Sequence, residues 1–567
     1  VAALLGRLDA AAEGLLARAG RSPALAVLLI ALVAAVYLIP GQVALPLTDR
    51  DEARYVVASK QMLATGDFIE PRNLDEPRWK KPIGIYWLQS AAAALSGKGA
   101  EAPLWVYRLP SALGILAAAL LTLWAVRPLV GHRAAAVAGL VVAASAVTAS
   151  EGHIAKTDAA LLAFIVLGQG ALIRALSRPP QLGFGWPHAL LWTALAGGVL
   201  VKGPIILMVV GGTLLWLTLT ELSMDPLRRT KAWPGLLLFA ALTLPWFIAI
   251  GFATDWGFYA ESLGRDFLGK VDGAAEGHVG IPGYYFATVW VTFWPWAPLA
   301  LLALPLAWAE RRTEAVRFLA GWIIPTWAVF ELATTKLPHY VMPTLPAFGA
   351  LIGLWLAANA PRGAVLRWLA AALSLAGALV IAAAAIGAPL SFEGTPIWSA
   401  TALALAGFIP AMLAALALAR GLPRAAAVLG VAAGALLLPA LLRESLPRLD
   451  SLFLSPRMAA LDARFDACAP FPLVTTEYEE LSLAFYAGLD TRLVHGAEAE
   501  AFLADPTPGA RAFLPLEEGE RLAAANGGAI HLLGTVEGIN YNDSPDPIVM
   551  GLFARTDDPA LAACRID

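Results

Sequence analysis

Cysteine is nearly absent. Among 567 residues there are two, Cys468 and Cys564, so no Cys-rich zinc motif exists and at most one intrachain disulfide can form. Charge is also scarce: 15% of residues are Asp, Glu, Lys or Arg, where a soluble domain carries about 25%. The net charge of -3 gives no basic surface of the kind that holds nucleic acid. What the chain has in abundance is apolar sequence, at 59%. Apolar runs of about 18 residues or more, each long enough to cross a bilayer, recur along most of it. The reading is an all-α polytopic membrane protein. The first run, "PALAVLLIALVAAVYLIP", has no small-residue cleavage site after it and reads as a retained helix.

About thirteen spans are predicted: 23–40, 106–127, 133–150, 157–176, 188–203, 204–221, 233–252, 284–308, 315–334, 340–358, 364–386, 397–418 and 424–442. Lys and Arg accumulate in cytoplasmic loops. With the N-terminus inside, every inner loop is basic, from Arg127 and Arg133 through Arg228, Arg229 and Lys231 to Arg420 and Arg424. One helix more or fewer would scramble that alternation.

Three outer segments remain: a first loop, 41–105; a second, 253–283; and everything after about 445. The membrane part is expected over 1–445. The tail, 446–567, alternates strand-like runs ("FPLVTTEY", "TRLVHG", "ARAFLPL", "AIHLLGTV", "PIVMGLFAR") with helix-like ones ("SPRMAALDARFDA", "EEGERLAAANG"). A small outer α/β domain follows from that alternation. If that side is oxidising, Cys468 and Cys564 can pair; two buried thiols are the alternative.

Basic residues on the outer side need a reason. They include Lys156, Lys202 and Lys336 at helix ends, and Arg50, Arg54, Lys60, Arg72, Arg78, Lys80 and Lys81 in the first loop. Ionisable groups close to hydrocarbon are costly and face polar cavities. A ring of cations at that level points to a bound anion, and a lipid phosphate fits the location. "TDRDEARYVVASKQML" reads as an interfacial amphipathic helix, with Thr48 or Asp49 as its cap and Asp49 and Glu52 as a capping box. The acids can all serve the helix N-terminus. However, Asp51, Arg54 and Tyr55 share one face, placing a carboxylate beside an anion clamp. Lys80 and Lys81 precede Pro82 and an aromatic helix, where membrane anchoring by Trp79, Tyr86 and Trp87 is the plainer explanation. Asp158, just inside the outer end of a span, reads equally as a structural acid (a helix cap or a partner of Lys156) and as a site carboxylate. His278 is a lone outer histidine.

The block "DEARYVVASKQMLATGDFIEPRNLDEPRWKKPIGIYW" resembles the GT-C glycosyltransferases that use polyprenyl-phosphate sugars. It is similar to the bacterial lipid A aminoarabinose transferases and to the wider protein O-mannosyltransferase superfamily. The residues that carry the likeness are Asp51, Glu52, Arg54, Tyr55, Met62, Leu63, Gly66, Asp67, Lys81 and Pro82, then Asp158, "KGP" at 202–204, "KLPHY" at 336–340 and "EELSLAFYAG" in the tail. The resemblance implies Asp51, Glu52 and Asp158 in the catalytic set, with Asp51 as the carboxylate at the acceptor. It implies Arg54, Tyr55, Lys81, Lys202, Lys336 and Tyr340 around the donor phosphate. His278 aligns with a histidine that can share a metal with an acid, but the acid's place is taken here by Lys80, a cation that cannot ligate. No cofactor is required, and a divalent cation is compatible with the chemistry.

The expected activity is inverting transfer of a sugar from a polyprenyl monophosphate to an outer acceptor, with lipid A or lipopolysaccharide core favoured over protein. The expected location is the bacterial inner membrane, with the N-terminus cytoplasmic and the tail periplasmic. The alternative is a lipid-linked-sugar flippase or transporter, which should place charges at mid-bilayer on several helices. A ligand-sensing outer domain would leave the first loop unexplained.

Overall fold

The computed structural model describes residues 1–179, 182–262, 264, 280–358, 363–466, 472–504, 509–527, 529–544 and 546–555. His278, Cys468 and Cys564 lie outside these, as does most of the second outer loop.

A chain in hydrocarbon must satisfy its backbone internally, and this one does so with helices. The predicted spans fall on helical segments, but 133–150 and 284–308 are each divided between two helices. Among the described residues, seven helices are long and apolar enough to cross a membrane, and a bent pair, Tyr284–Thr292 with Ala297–Ala309, makes up to eight. Pro23–Leu38, Ile205–Glu221 and Met342–Ala358 are apolar but shorter. The predicted span 106–127 and the first part of 133–150 join in Leu104–Ala143, which breaks at Gly131 (φ 77°, ψ 167°); the rest of 133–150 enters helix Ala146–Gly152. Glycine tolerates that backbone because it has no Cβ.

The segment 41–105, predicted as the first outer loop, folds into helix Asp51–Thr65, a short hairpin pairing Arg72–Asn73 with Glu76–Pro77, and helix Gly84–Leu95. Two contacts fix the last helix. A Cβ on Gly84 would lie 2.7 Å from the Leu200 carbonyl, so only glycine lets this helix approach the end of helix Trp186–Lys202 so closely. The buried Gln89 accepts from Ser59 Oγ (2.7 Å) and donates to the Ala155 carbonyl (3.1 Å). Lys81 and Lys202 are thereby brought onto one chamber.

In the tail, all five strand-like runs form strands. The sheet order is Arg492–Leu493, Val474–Thr475, Arg511–Pro515, Pro547–Arg555, Ile530–Ile539. The first two pairings are parallel and the last two antiparallel. Helices Leu454–Asp466 and Leu516–Ala525 match the two helix-like runs. The tail rests on the first outer loop. Tyr486 and Tyr541 hydroxyls accept from the backbone N–H groups of Leu47 and Asp49, each at 2.8 Å, and Arg50 Nη2 donates to the Asn542 carbonyl at 3.0 Å.

Candidate active site

Where the first loop, three helix ends and the tail meet, a polar chamber of about 350 Å³ opens. Arg50, Arg54, Arg78, Lys80, Lys81, Lys156 and Lys202 line it, against Asp49, Asp51, Glu52 and Asp158. Seven of the ten cations singled out in the sequence line it; Lys60, Arg72 and Lys336 do not. Lys60 is buried with its ammonium 3.2 Å from the Phe485 carbonyl, and Arg72 pairs with Glu70 at 3.2 Å. Neither lines the chamber.

An apolar groove of about 700 Å³ adjoins the chamber. Phe247, Phe258, Tyr259, Phe330 and Pro343 are among its walls, and it shares Lys80, Lys81, Asp158, Lys202, Thr335 and Tyr340 with the chamber. The shared residues make the mouth between them. There Lys202 Nζ sits 2.6 Å from Asp158 Oδ1 and 5.6 Å from the centre of the Tyr340 ring.

Asp51 opens its helix and lines the chamber. Burial pushes its carboxyl up, but Lys156, Arg78, Arg54 and Lys202 outweigh that and hold it below the usual range. It is thus ionised at neutral pH. Arg54, Tyr55, Lys81, Lys202 and Tyr340 line the same space.

Glu52 and Lys336 have other surroundings. Both oxygens of Glu52 are engaged by Arg108 (2.8 and 2.9 Å), by the Ala155 N–H (2.7 Å) and by the N–H and hydroxyl of Thr48 (3.0 and 2.8 Å). Its charge partner is Arg108. The expected capping box of Asp49 with Glu52 does not form; the cap position is Arg50 (φ 63°), and Glu52 reaches back to Thr48 instead. Lys336 lines neither cavity, and its ammonium donates to the Glu331 and Ala333 carbonyls (2.6 and 2.5 Å). It caps helix Glu314–Leu332 and shapes the turn that presents His339 and Tyr340.

Two contributors, Arg108 and Glu151, escaped sequence reasoning, and a third, Asp49, is read there only as a helix cap. Arg108 is fully buried, and a lone arginine in the apolar run "LWVYRLP" was its signal. Glu151 pairs with Lys156 at 3.4 Å and His339 at 3.3 Å, the latter inside the recognised "KLPHY". Asp49 lies under the tail, where burial and then Glu480 push its carboxyl up to about 7. Its Oδ1 is buried with no hydrogen-bond partner among the described residues.

Glu151, Asp158 and His339 bring ligand-type atoms within 4.8 Å of one another. The fit to a metal is poor. Lys156 and Lys202 already neutralise the two carboxylates, which makes the group complete as an ion-pair network. No metal ligand is identified here and no step is routed through a metal. The other candidate, His278, lies outside the described residues.

Residues 24–255 match the family described as dolichyl-phosphate-mannose-protein mannosyltransferase. Among curated proteins, the chain is similar to the undecaprenyl phosphate-alpha-4-amino-4-deoxy-L-arabinose arabinosyl transferase of Pseudomonas aeruginosa strain LESB58. The identity is 29% over 316 residues, or 53% of this chain and 54% of that one. The protein of the same name from Enterobacter sp. strain 638 is 27% identical over 317 residues, with the same coverage. The chain thus spans about half the length of the curated relatives it matches. Among solved structures it resembles ArnT from Cupriavidus metallidurans bound to undecaprenyl phosphate. The TM-score is 0.73 at 21% identity, covering 95% of this chain and 99% of that one. The fold is accordingly GT-C, in a multi-pass membrane protein related to the polyprenyl-phosphate-sugar glycosyltransferases.

Proposed function

We propose that this relative of the GT-C glycosyltransferases transfers a sugar from a polyprenyl monophosphate to an acceptor on the outer face of the inner membrane. The observation that carries the reading is the junction of two cavities. A cation-lined chamber suits a phosphate, an apolar groove suits a prenyl chain, and Lys80, Lys81, Lys202 and Tyr340 stand where the two meet. A polyprenyl-phosphate sugar has that polarity along its length. The curated relatives are named for an undecaprenyl-phosphate sugar and the Cupriavidus metallidurans structure holds undecaprenyl phosphate, which supports the same donor class.

The reaction runs as an inverting displacement. Asp51 takes the acceptor hydroxyl's proton as that oxygen bonds to the anomeric carbon. The bond from the anomeric carbon to the phosphate oxygen breaks, and the phosphate leaves with the electron pair. A phosphodiester with one charge becomes a monoester with two, and Arg54, Lys81 and Lys202 stabilise the charge that develops. Tyr55 and Tyr340 flank these cations. Asp158 holds Lys202 at the mouth. Glu52 acts through Arg108 as a positioning residue for the helix that carries Asp51. The N-terminus is cytoplasmic and the tail periplasmic, so the chamber faces the periplasm. Lipid A or lipopolysaccharide core is the proposed acceptor, on the strength of the first-loop block's resemblance to the lipid A aminoarabinose transferases.

Mass spectrometry of lipid A, core oligosaccharide and polyprenyl-phosphate pools tests this. In a strain lacking the protein, one sugar should disappear from a glycolipid while its polyprenyl donor accumulates. The wild-type protein should restore it and Asp51→Asn should not. Full rescue by Asp51→Asn would remove the transfer mechanism, and unchanged lipid A and core would redirect the acceptor.

A further inference from the structure

His339 stands between two carboxylates. Nδ1 is 3.3 Å from Glu151 Oε1 and Nε2 is 3.6 Å from Asp158 Oδ1. A neutral imidazole has one N–H and one lone pair. One of the two carboxylates therefore always faces a lone pair, and neither contact is short enough for a good hydrogen bond. Only the imidazolium, with two N–H donors, satisfies both.

The ring is buried, and the charges around it nearly cancel. Glu151 comes from the short helix Ala146–Gly152, Lys156 and Asp158 from the start of the next helix, and Lys202 from the end of a third. The Tyr340 ring packs edge-on at 5.1 Å. Lys156 and Lys202 neutralise Glu151 and Asp158 at 3.4 and 2.6 Å. In this state burial lowers the affinity of His339 for a proton, the two lysines lower it further, and the two carboxylates only partly restore it. Glu151 Oε2 is buried with no hydrogen-bond partner among the described residues.

Both lysines also line the chamber that the proposed donor phosphate enters. A phosphate dianion competes for their ammoniums, and each ammonium that turns toward it exposes a buried carboxylate. We propose that His339 takes up a proton when a phosphate dianion occupies the chamber, replacing on Glu151 and Asp158 the positive charge that Lys156 and Lys202 give to the phosphate. His339 is then a positioning residue that keeps the site neutral as the leaving phosphate gains its second charge. The inference rests on the donor reading above and adds a proton to it.

Titration calorimetry of the whole protein with undecaprenyl phosphate, at pH 7.5 in buffers of different ionisation enthalpy, reads the proton directly. The sign discriminates. A phosphate monoester has its second pKa near 6, so binding to cations alone releases protons or leaves their number unchanged. Net uptake is expected, up to about one proton per phosphate, the capacity of a single imidazole. His339→Gln should bind with uptake lost. Glu151→Gln, which removes one of the two carboxylates, should reduce it and guards against misfolding of the first variant. Binding with no uptake or with release overturns the inference and leaves the donor reading standing, as does uptake that persists in His339→Gln. Uptake that vanishes with EDTA and returns with a divalent cation overturns it too. Failure of undecaprenyl phosphate to bind at all overturns the donor reading and this inference with it.

Discussion

Glu52 and Arg108 form an enclosed ion pair at the base of the chamber, and neither side chain is exposed. Arg108 also donates to the carbonyls of Gln42, Leu45 and Pro46, at 3.2, 2.6 and 2.9 Å. Three of its N–H bonds thus hold the segment that leads into the Asp51 helix, and the other two hold Glu52 within that helix. Removing one partner of such a pair leaves a buried charge uncompensated, at about 3–5 kcal/mol. Glu52→Gln should therefore lower the thermal unfolding midpoint in detergent as well as activity. A stable but inactive Glu52→Gln would instead place Glu52 in the chemistry.

Asp51→Asn should behave in the opposite way. The unfolding midpoint and undecaprenyl phosphate binding should stay near wild type, while transfer falls by about 10²–10⁴-fold, the usual worth of a general base. The pH profile follows from the depressed Asp51 carboxyl. A base acts when deprotonated, so its acid limb should lie below the ordinary carboxylate range, and activity should fall only as pH drops through that value. An acid limb near pH 6–7 would assign the base to another group.

Lys202→Met removes one charged contact to the proposed phosphate and leaves Asp158 without its 2.6 Å partner. Hydrogen bonds to charged groups contribute about 1.5–3 kcal/mol, so the donor KM should rise by roughly tenfold or more. Lys336→Met should leave the donor KM far less affected, because Lys336 lies outside both cavities. Equal effects from the two would contradict the assignment.

Asp49 ties the tail to the first loop, with Tyr478 Oη donating to its Oδ2 at 3.4 Å. Its carboxyl is raised by burial and by Glu480, to about 7, well above the ordinary carboxylate range. For a raised carboxyl the native state favours the protonated form. Its stability contribution is fully present below about pH 4 and is lost as pH rises through about 7. Hydrogen exchange around residues 478–486 should therefore quicken between pH 5 and pH 8 beyond the intrinsic rate change. Asp49→Asn should flatten that dependence, and an unchanged dependence in the variant would exclude Asp49 as its source.

The proposed orientation is checked by a cysteine at the exposed Asp490, in a protein with Cys468 and Cys564 replaced. A membrane-impermeant maleimide should label Asp490→Cys from the periplasmic side of intact spheroplasts. Protection until the membrane is opened would invert the topology.

The helices, the five tail strands and the cationic first loop were legible in the sequence, because each is written in local terms. Apolar length marks a helix in hydrocarbon, alternation marks a strand, and a cation at a helix end marks a polar cavity. Asp51, Arg54, Tyr55 and Lys81 could be found that way, since they stand within one loop or one recognised block. Partner choice was not legible. That Glu52 belongs to Arg108, 56 positions on, that Lys336 turns back on its own helix end, and that His339 separates Glu151 from Asp158 depend on how distant helix ends meet. A side chain's charge is local and can be read from the chain. Which opposite charge answers it inside a low-dielectric interior is set by tertiary packing, where contacts such as Gly84 against Leu200 decide which cations share one chamber.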